Sequence, residues 1–247
     1  MERIKLVVQY DGTDFCGWQI QPEKRTVQGE LEKVLSFLLK ENVKTYASGR
    51  TDAGVSAMGQ VCHFDTEIEI QESKFLSSVN ALLPKDVAVL SVQKVGMNFD
   101  SRFSVKRKTY WYKFYVSKFS LPLYEKIALR INDFADVQAM NDACKFLIGE
   151  HDFTSFVARK SGKTDFVRTI YDAKIINLGD GLYAFEITGN GFLYNMVRIL
   201  MGTLIQVAYK KIKPEDILTI IENKSRSTAG KTMPSYALLM KKVEYDA

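Results

Sequence analysis

"RKTYWYKFYV", Arg107–Val116, puts Tyr110, Tyr112 and Phe114 on one side of an extended chain and Trp111, Lys113 and Tyr115 on the other. Such an aromatic run reads as a β-strand. Downstream, "DVQAMNDACKFLIG" has Val137, Met140, Ala143, Cys144 and Leu147 at helical spacing. "VRTIYDAKIINL" and "GLYAFEITG" then form a hairpin around Gly179 to Gly181. An apolar helix from Tyr194 follows, then a shorter one in "PEDILTIIEN" with Pro214 in its first turn, and "YALLMKKVEY" as a closing strand.

Upstream, the same order is already present. "IKLVVQY" is a strand ending at Asp11-Gly12, and Val27, Leu31, Val34, Leu35, Leu38 and Leu39 line a helix with Thr26 as N-cap. "VKTYAS" and "GQVCHFDT" are strands, Phe75, Leu76, Val79, Leu82 and Leu83 line a helix stopped by Pro84, and "DVAVLSVQKV" is a further strand. The reading is therefore an α+β fold of two tandem split βαβ units, like those of ferredoxins and RNA-recognition domains. Residues 1–100 form the N-terminal half and 101–247 the C-terminal half. No proline- or serine-rich linker separates them near Gly96 to Arg102, which predicts abutting antiparallel sheets with a central cleft. The repetition lies in the pattern of elements, not in the residues.

Composition excludes several classes. The 46% apolar and 26% charged residues are those of a globular chain rather than a disordered one. Three widely spaced cysteines (Cys16, Cys62, Cys144) and two histidines (His63, His151) suggest neither a disulfide framework nor a metal centre. The N-terminus turns polar too early for a signal-peptide core, so no export is implied and the expected compartment is the cytoplasm. The window Phe192 to Tyr209 carries Asn195, Arg198 and Gln206, which favours a buried helix over a membrane span.

Three features bear on chemistry. In "SGRTDAGVSAMGQVCHF", Asp52 and Arg50 occupy a glycine-flanked turn before a strand. Taken alone, Asp52 reads first as a turn-capping carboxylate and Arg50 as a solvated charge. Arg198 is the second feature, set among Met196, Val197, Ile199 and Leu200 with no acid three or four residues away. Either it snorkels from a partly exposed face or it finds a carboxylate elsewhere in the chain. The third is the tyrosine-bearing strand, whose aromatics serve either the core or a base-stacking platform. Basic segments surround these: Lys106, Arg107 and Lys108; Arg159, Lys160, Lys163 and Arg168; and Lys224, Arg226 and Lys231. Clusters of this kind suit phosphate contacts along an RNA backbone.

The chain resembles the tRNA pseudouridine synthase A family along nearly its whole length. The resemblance runs in order through "YDGTDFCGWQIQ", "TVQGELEKVL", "SGRTDAGVSAMGQVCHF", "NALLPKDVAV", "FDSRFSVKRKTYWY", "GEHDFTSF" and "GNGFLYNMVRILMGTL". It implies that Asp52 is the essential aspartate, that Tyr110 packs against the target base, and that Arg198 pairs with Asp52 across an RNA-binding cleft. It further implies isomerisation of uridine at positions 38, 39 and 40 of the tRNA anticodon stem-loop, without a cofactor, by a homodimer in which Arg50 contacts RNA. Ser56 stands where the family commonly has histidine, Thr109 where arginine is usual, and "MPSYAL" where A-P-x-x-G-L is typical. Two other classes remain as rivals: a non-catalytic module for structured RNA, and a carboxylate-dependent nucleoside or glycoside hydrolase. The hydrolase would call for a second acid in the site, and none stands beside Asp52 in its loop.

Overall fold

The computed structural model describes residues 1–158 and 165–246. Two units emerge: unit 1 comprises Met1–Lys106 with the C-terminal stretch from Met240, and unit 2 comprises Arg107–Leu239. The division thus falls six residues beyond the one read from the sequence, and most of the closing strand belongs with unit 1.

Unit 1 contains β1 (Glu2–Tyr10), α1 (Val27–Leu39), β2 (Tyr46–Ala47), β3 (Ser56–Thr66), α2 (Glu72–Leu82) and β4 (Val87–Val95). Alternation builds β1: Ile4, Leu6, Val8 and Tyr10 are buried while the residues between them are half-buried or exposed. β1 pairs antiparallel with both β3 and β4, and β2 lies antiparallel on the other edge of β3 at His63 and Cys62. This is the β4-β1-β3-β2 order of a split βαβ unit. β2 shrinks to two residues because β10 (Leu238–Tyr245) takes up β3 nearer its start, where Gly59 lies against Lys241.

Thr26 caps α1, its Oγ1 accepting from Gly29 N at 3.3 Å, and Lys40 ends it in the left-handed conformation at φ 53°. Leu31 and Leu35 of α1 are fully buried, each worth about 1.5–3 kcal/mol of burial. The face read for α2 is less complete: only Val79 is buried, and Leu82 is exposed. Asn80 instead ties α2 to β4, exchanging two 2.8 Å hydrogen bonds with the backbone of Val89.

Unit 2 contains β5 (Val105–Val116, from Arg107 onward), β6 (Leu129–Ile131), α3 (Val137–Cys144), β7 (Gly149–Asp152), β8 (Val167–Gly179), β9 (Leu182–Gly189), α4 (Met196–Ala208) and α5 (Asp216–Glu222). Its sheet runs β5-β9-β8-β7, with β6 parallel to β5. β8 and β9 form the expected hairpin, whose turn residues Gly179, Asp180 and Gly181 all have positive φ. α3 is shorter than read, because its last apolar residues continue as a 3-10 turn over Lys145–Leu147. Tyr112 and Phe114 are wholly buried, and so is Tyr115 on the opposite side, where Leu121 N donates to its hydroxyl at 3.2 Å.

Candidate active site

The loop carrying Asp52 is fastened at both ends. Ser48 N donates to Val61 O at 2.8 Å, and the buried Gln60 side chain accepts from Ser48 Oγ at 2.6 Å and donates to Gly49 O at 2.9 Å. Between these points Val55 N donates to Asp52 O at 3.1 Å, closing a turn that leaves the Asp52 side chain half-buried and Arg50 exposed. The segment after β1 lies on this loop: Trp18 N donates to Thr51 O and Gly54 N to Phe15 O, both at 3.2 Å. Gly17, at φ +91°, sits so near that an added Cβ would be 2.6 Å from Thr51 O.

Two side chains add to the fastening that no spacing in the sequence announces. Tyr10 Oη and Thr51 Oγ1 are 2.8 Å apart and buried, and Ser56 Oγ accepts from Gly12 N at 3.0 Å. Burial pushes the Tyr10 phenol well above its ordinary range, so it stays neutral. The aspartate loop is thus a platform tied at several points to β3, to the end of β1 and to the segment after it.

In unit 2, Tyr110 lies half-buried on β5 opposite Ile187 of β9. The Phe192 ring meets it edge to face at 5.1 Å. The loop bearing Phe192 is tied to β8 by Asn190, whose N donates to Thr169 O at 3.0 Å and whose Oδ1 accepts from Thr169 N at 3.1 Å. Arg168 reaches the same loop, its Nε 3.8 Å from the Cβ position of Gly191. Tyr110, Phe192 and Arg168 therefore converge on residues 189–192, which gather an aromatic face and a cation.

Arg198 lies in the apolar helix read from Tyr194, close to its start. Asn195, left-handed at φ 62°, begins α4, and Arg198 is the third residue of its first turn. Its Nε donates to Met233 O at 2.6 Å and its Nη1 to Asn195 Oδ1 at 2.7 Å, while Met233 N donates to Arg198 O at 3.2 Å. These bonds fix the guanidinium plane. The helix macrodipole is positive at this end, so a cation here adds to a field that favours an anion.

The basic residues divide. Lys106 pairs with Asp246 at 2.8 Å, both side chains exposed, Arg107 stacks over the Tyr171 ring at 4.9 Å, and Lys108 is half-buried on β5. Arg159, Lys160 and Lys163 lie outside the described residues. Among the described residues no group of three or more His, Cys, Asp or Glu is arranged to hold a metal ion.

The sequence model described as tRNA pseudouridine synthase matches residues 6–104 and 143–246. The chain belongs to the tRNA pseudouridine synthase family. A relative named tRNA pseudouridine synthase A from Anoxybacillus flavithermus is 49% identical over 247 residues, with all of both chains covered. The protein of that name from Bacillus subtilis is 45% identical over 246 residues, with 99% of each chain covered. One from an Exiguobacterium species is 42% identical, with 100% of this chain and 99% of its own covered. A solved Cbf5-Nop10-Gar1 complex contains a chain at TM-score 0.36 and 13% identity, covering 81% of this chain and 53% of that one; so slight a likeness places no residue. In this synthase-family chain, the matched residues 6–104 take in the Asp52 platform and 143–246 take in Arg168, Phe192 and Arg198. Tyr110 falls between the two matched stretches.

Proposed function

We propose that this chain isomerises uridine to pseudouridine in the anticodon stem-loop of tRNA, at positions 38, 39 and 40, with Asp52 as the essential carboxylate. Membership of the tRNA pseudouridine synthase family carries the reaction class. The observation that singles out Asp52 is its half-exposed place on a loop fastened at Ser48, Gly49, Thr51, Gly54 and Ser56. The reaction breaks the bond from C1′ to N1 of uracil, turns the ring and joins C1′ to C5; the C5 proton leaves to solvent and N1 takes up a proton in its place. No atom of the nucleoside is otherwise gained or lost and no net oxidation occurs, so the chemistry needs a carboxylate and a place to hold a free uracil.

The target uridine leaves the stack, at a cost of about a few kcal/mol, and rests against Tyr110. Tyr110 presents one side of its ring beside Phe192, which suits a base in transit. Arg198, oriented by Asn195 and Met233 at the positive end of α4, serves as the charge partner that keeps Asp52 ionised and aimed. Arg50, Lys106, Arg107, Lys108 and Arg168 contact phosphates, with Arg159, Lys160 and Lys163 assigned to the same role. The carboxylate starts the reaction by attacking C1′ or by taking the C2′ proton, and deuterium at C2′ slows only the second route. The working form is a homodimer in the cytoplasm.

Asp52→Asn tests the assignment. The variant is expected to lose tritium release from [5-³H]uridine-labelled tRNA while binding tRNA within about threefold of the parent protein. Retained turnover would overturn the role of Asp52. Free uracil made by the parent protein would mark a hydrolase, and tRNA binding without turnover by the parent protein a non-catalytic module.

A further inference from the structure

We infer that Tyr10 and Ser56 are positioning residues for Asp52: their hydroxyls clamp the aspartate loop from its two sides and set where the carboxylate meets the substrate. The inference rests on the proposed role of Asp52 and adds two residues that the sequence does not mark for it.

The ladder between β1 and β3 ends at Tyr10 opposite Ala57, after a register shift between Val8 and Tyr10. Beyond that point β1 turns away, and Gly12 N would face the loop without a strand partner. Ser56 Oγ supplies one at 3.0 Å, so a side chain continues the pairing where the backbone ladder stops. A Cβ on Gly12 would lie 2.2 Å from Val55 O, which shows how tightly the two segments are apposed. Gly12 is buried, so losing the serine oxygen strands an N–H and lets the segments part.

On the other side of Asp52, the Tyr10 hydroxyl meets Thr51 Oγ1 at 2.8 Å with both residues buried. Tyr10 leaves β1 two residues before Gly12, so one strand end holds both flanks of the loop: Thr51 directly before the aspartate and Ser56 four residues after it. A loop held at two such points cannot shift the backbone that carries Asp52 without straining one of them. Misplacing a reacting group by about 1 Å is enough to cost ~100-fold in rate. Neither hydroxyl need touch the nucleotide for its loss to be felt in turnover.

The test is steady-state kinetics of tritium release from [5-³H]uridine-labelled tRNA with Ser56→Ala, Ser56→Thr, Tyr10→Phe and Asp52→Asn, each checked for cooperative melting above the assay temperature. Ser56→Ala and Tyr10→Phe are expected to lower kcat about tenfold, with KM for tRNA within about twofold. Ser56→Thr keeps the acceptor oxygen and recovers most of kcat. Wild-type kcat in both folded hydroxyl-deletion variants overturns the inference, and so does a Ser56→Thr variant that folds but stays as slow as Ser56→Ala. Should Ser56→Ala fail to melt cooperatively, Tyr10→Phe decides the matter. If Asp52→Asn turns over, the catalytic reading itself fails, an outcome distinct from hydroxyl variants that are fast while Asp52→Asn is inactive.

Discussion

His63 lies within unit 1, stacked on Tyr46 at 5.3 Å and meeting the Phe99 ring edge-on at 6.1 Å, with Nδ1 2.5 Å from Ser101 Oγ. Burial, and then the nearby Arg3 charge, lower its pKa below the ordinary 6.5, against smaller opposing effects of Asp100 and Asp65. The unfolded chain therefore takes a proton at a pH where the native chain does not. Stability is full above about pH 6.5 and falls as the pH drops toward the native value, because the unfolded state binds more protons in that window. Asp65, Asp86 and Asp100 are all held low, so what they contribute is lost only below about pH 4. Urea midpoints between pH 7.5 and 5 should thus fall for the parent protein and stay flatter in His63→Asn; parallel curves would exclude His63 as the source. None of this was legible in "QVCHF", because the histidine's surroundings come from Arg3, Tyr46 and residues 99–101. Ser56 is the same case: its partner Gly12 stands 44 positions earlier, and only the fold brings the two together. Asp52, read alone, was a turn-capping carboxylate; the resemblance made it a candidate, and the fastening of its loop comes from Tyr10, Gly12, Phe15 and Trp18 far earlier in the chain.

Local elements were the ones the sequence announced. α1 could be read to its cap because Thr26 and the apolar stripe act within a few residues. β6 and β7, at three and four residues, are too short for alternation to show, and they exist because longer strands offer an edge. The start of α4 was misplaced for a related reason: a left-handed Asn195 opens it, a choice that asparagine tolerates without advertising. Gly202 within α4 shows the limit most clearly. A glycine in a helix costs about 1 kcal/mol relative to alanine. Here it is required, because a Cβ would lie 2.0 Å from Lys231 O, where the segment that supplies Met233 O to Arg198 crosses the helix. Thr203 accepts from Gly230 N at 2.9 Å at the same crossing. Gly202→Ala should therefore destabilise the protein by about 1–3 kcal/mol despite its better helix propensity, and should slow turnover by shifting Met233. A melting temperature equal to or above that of the parent protein would refute the crossing as a constraint.

At the scale of the whole chain, the repeated order of elements gave away the duplication, while the return of the closing strand from Met240 to unit 1 did not. Pairing between distant strands leaves no trace in local composition. Of the candidate residues, Asp52, Arg50 and Lys106 belong to unit 1, and Tyr110, Arg198, Arg107, Lys108 and Arg168 to unit 2. A net charge of +5 is modest, so tRNA affinity must come from where the cations stand rather than from their sum. Lys106 gives a clean test, because it and its 2.8 Å partner Asp246 are both exposed, where an ion pair is worth little. A tRNA phosphate can then compete with that carboxylate for the ammonium. Lys106→Ala is expected to weaken tRNA binding at every sequence tested and to reduce the slope of log K against log salt by about 1. Asp246→Asn should act in the opposite sense, tightening binding at low salt, because it removes the competing anion together with its repulsion of the RNA backbone. Binding curves over a salt series read both effects. An unchanged slope in Lys106→Ala would remove Lys106 from the phosphate contacts, and a weaker complex in Asp246→Asn would mean that the pair serves unit 1 rather than the RNA.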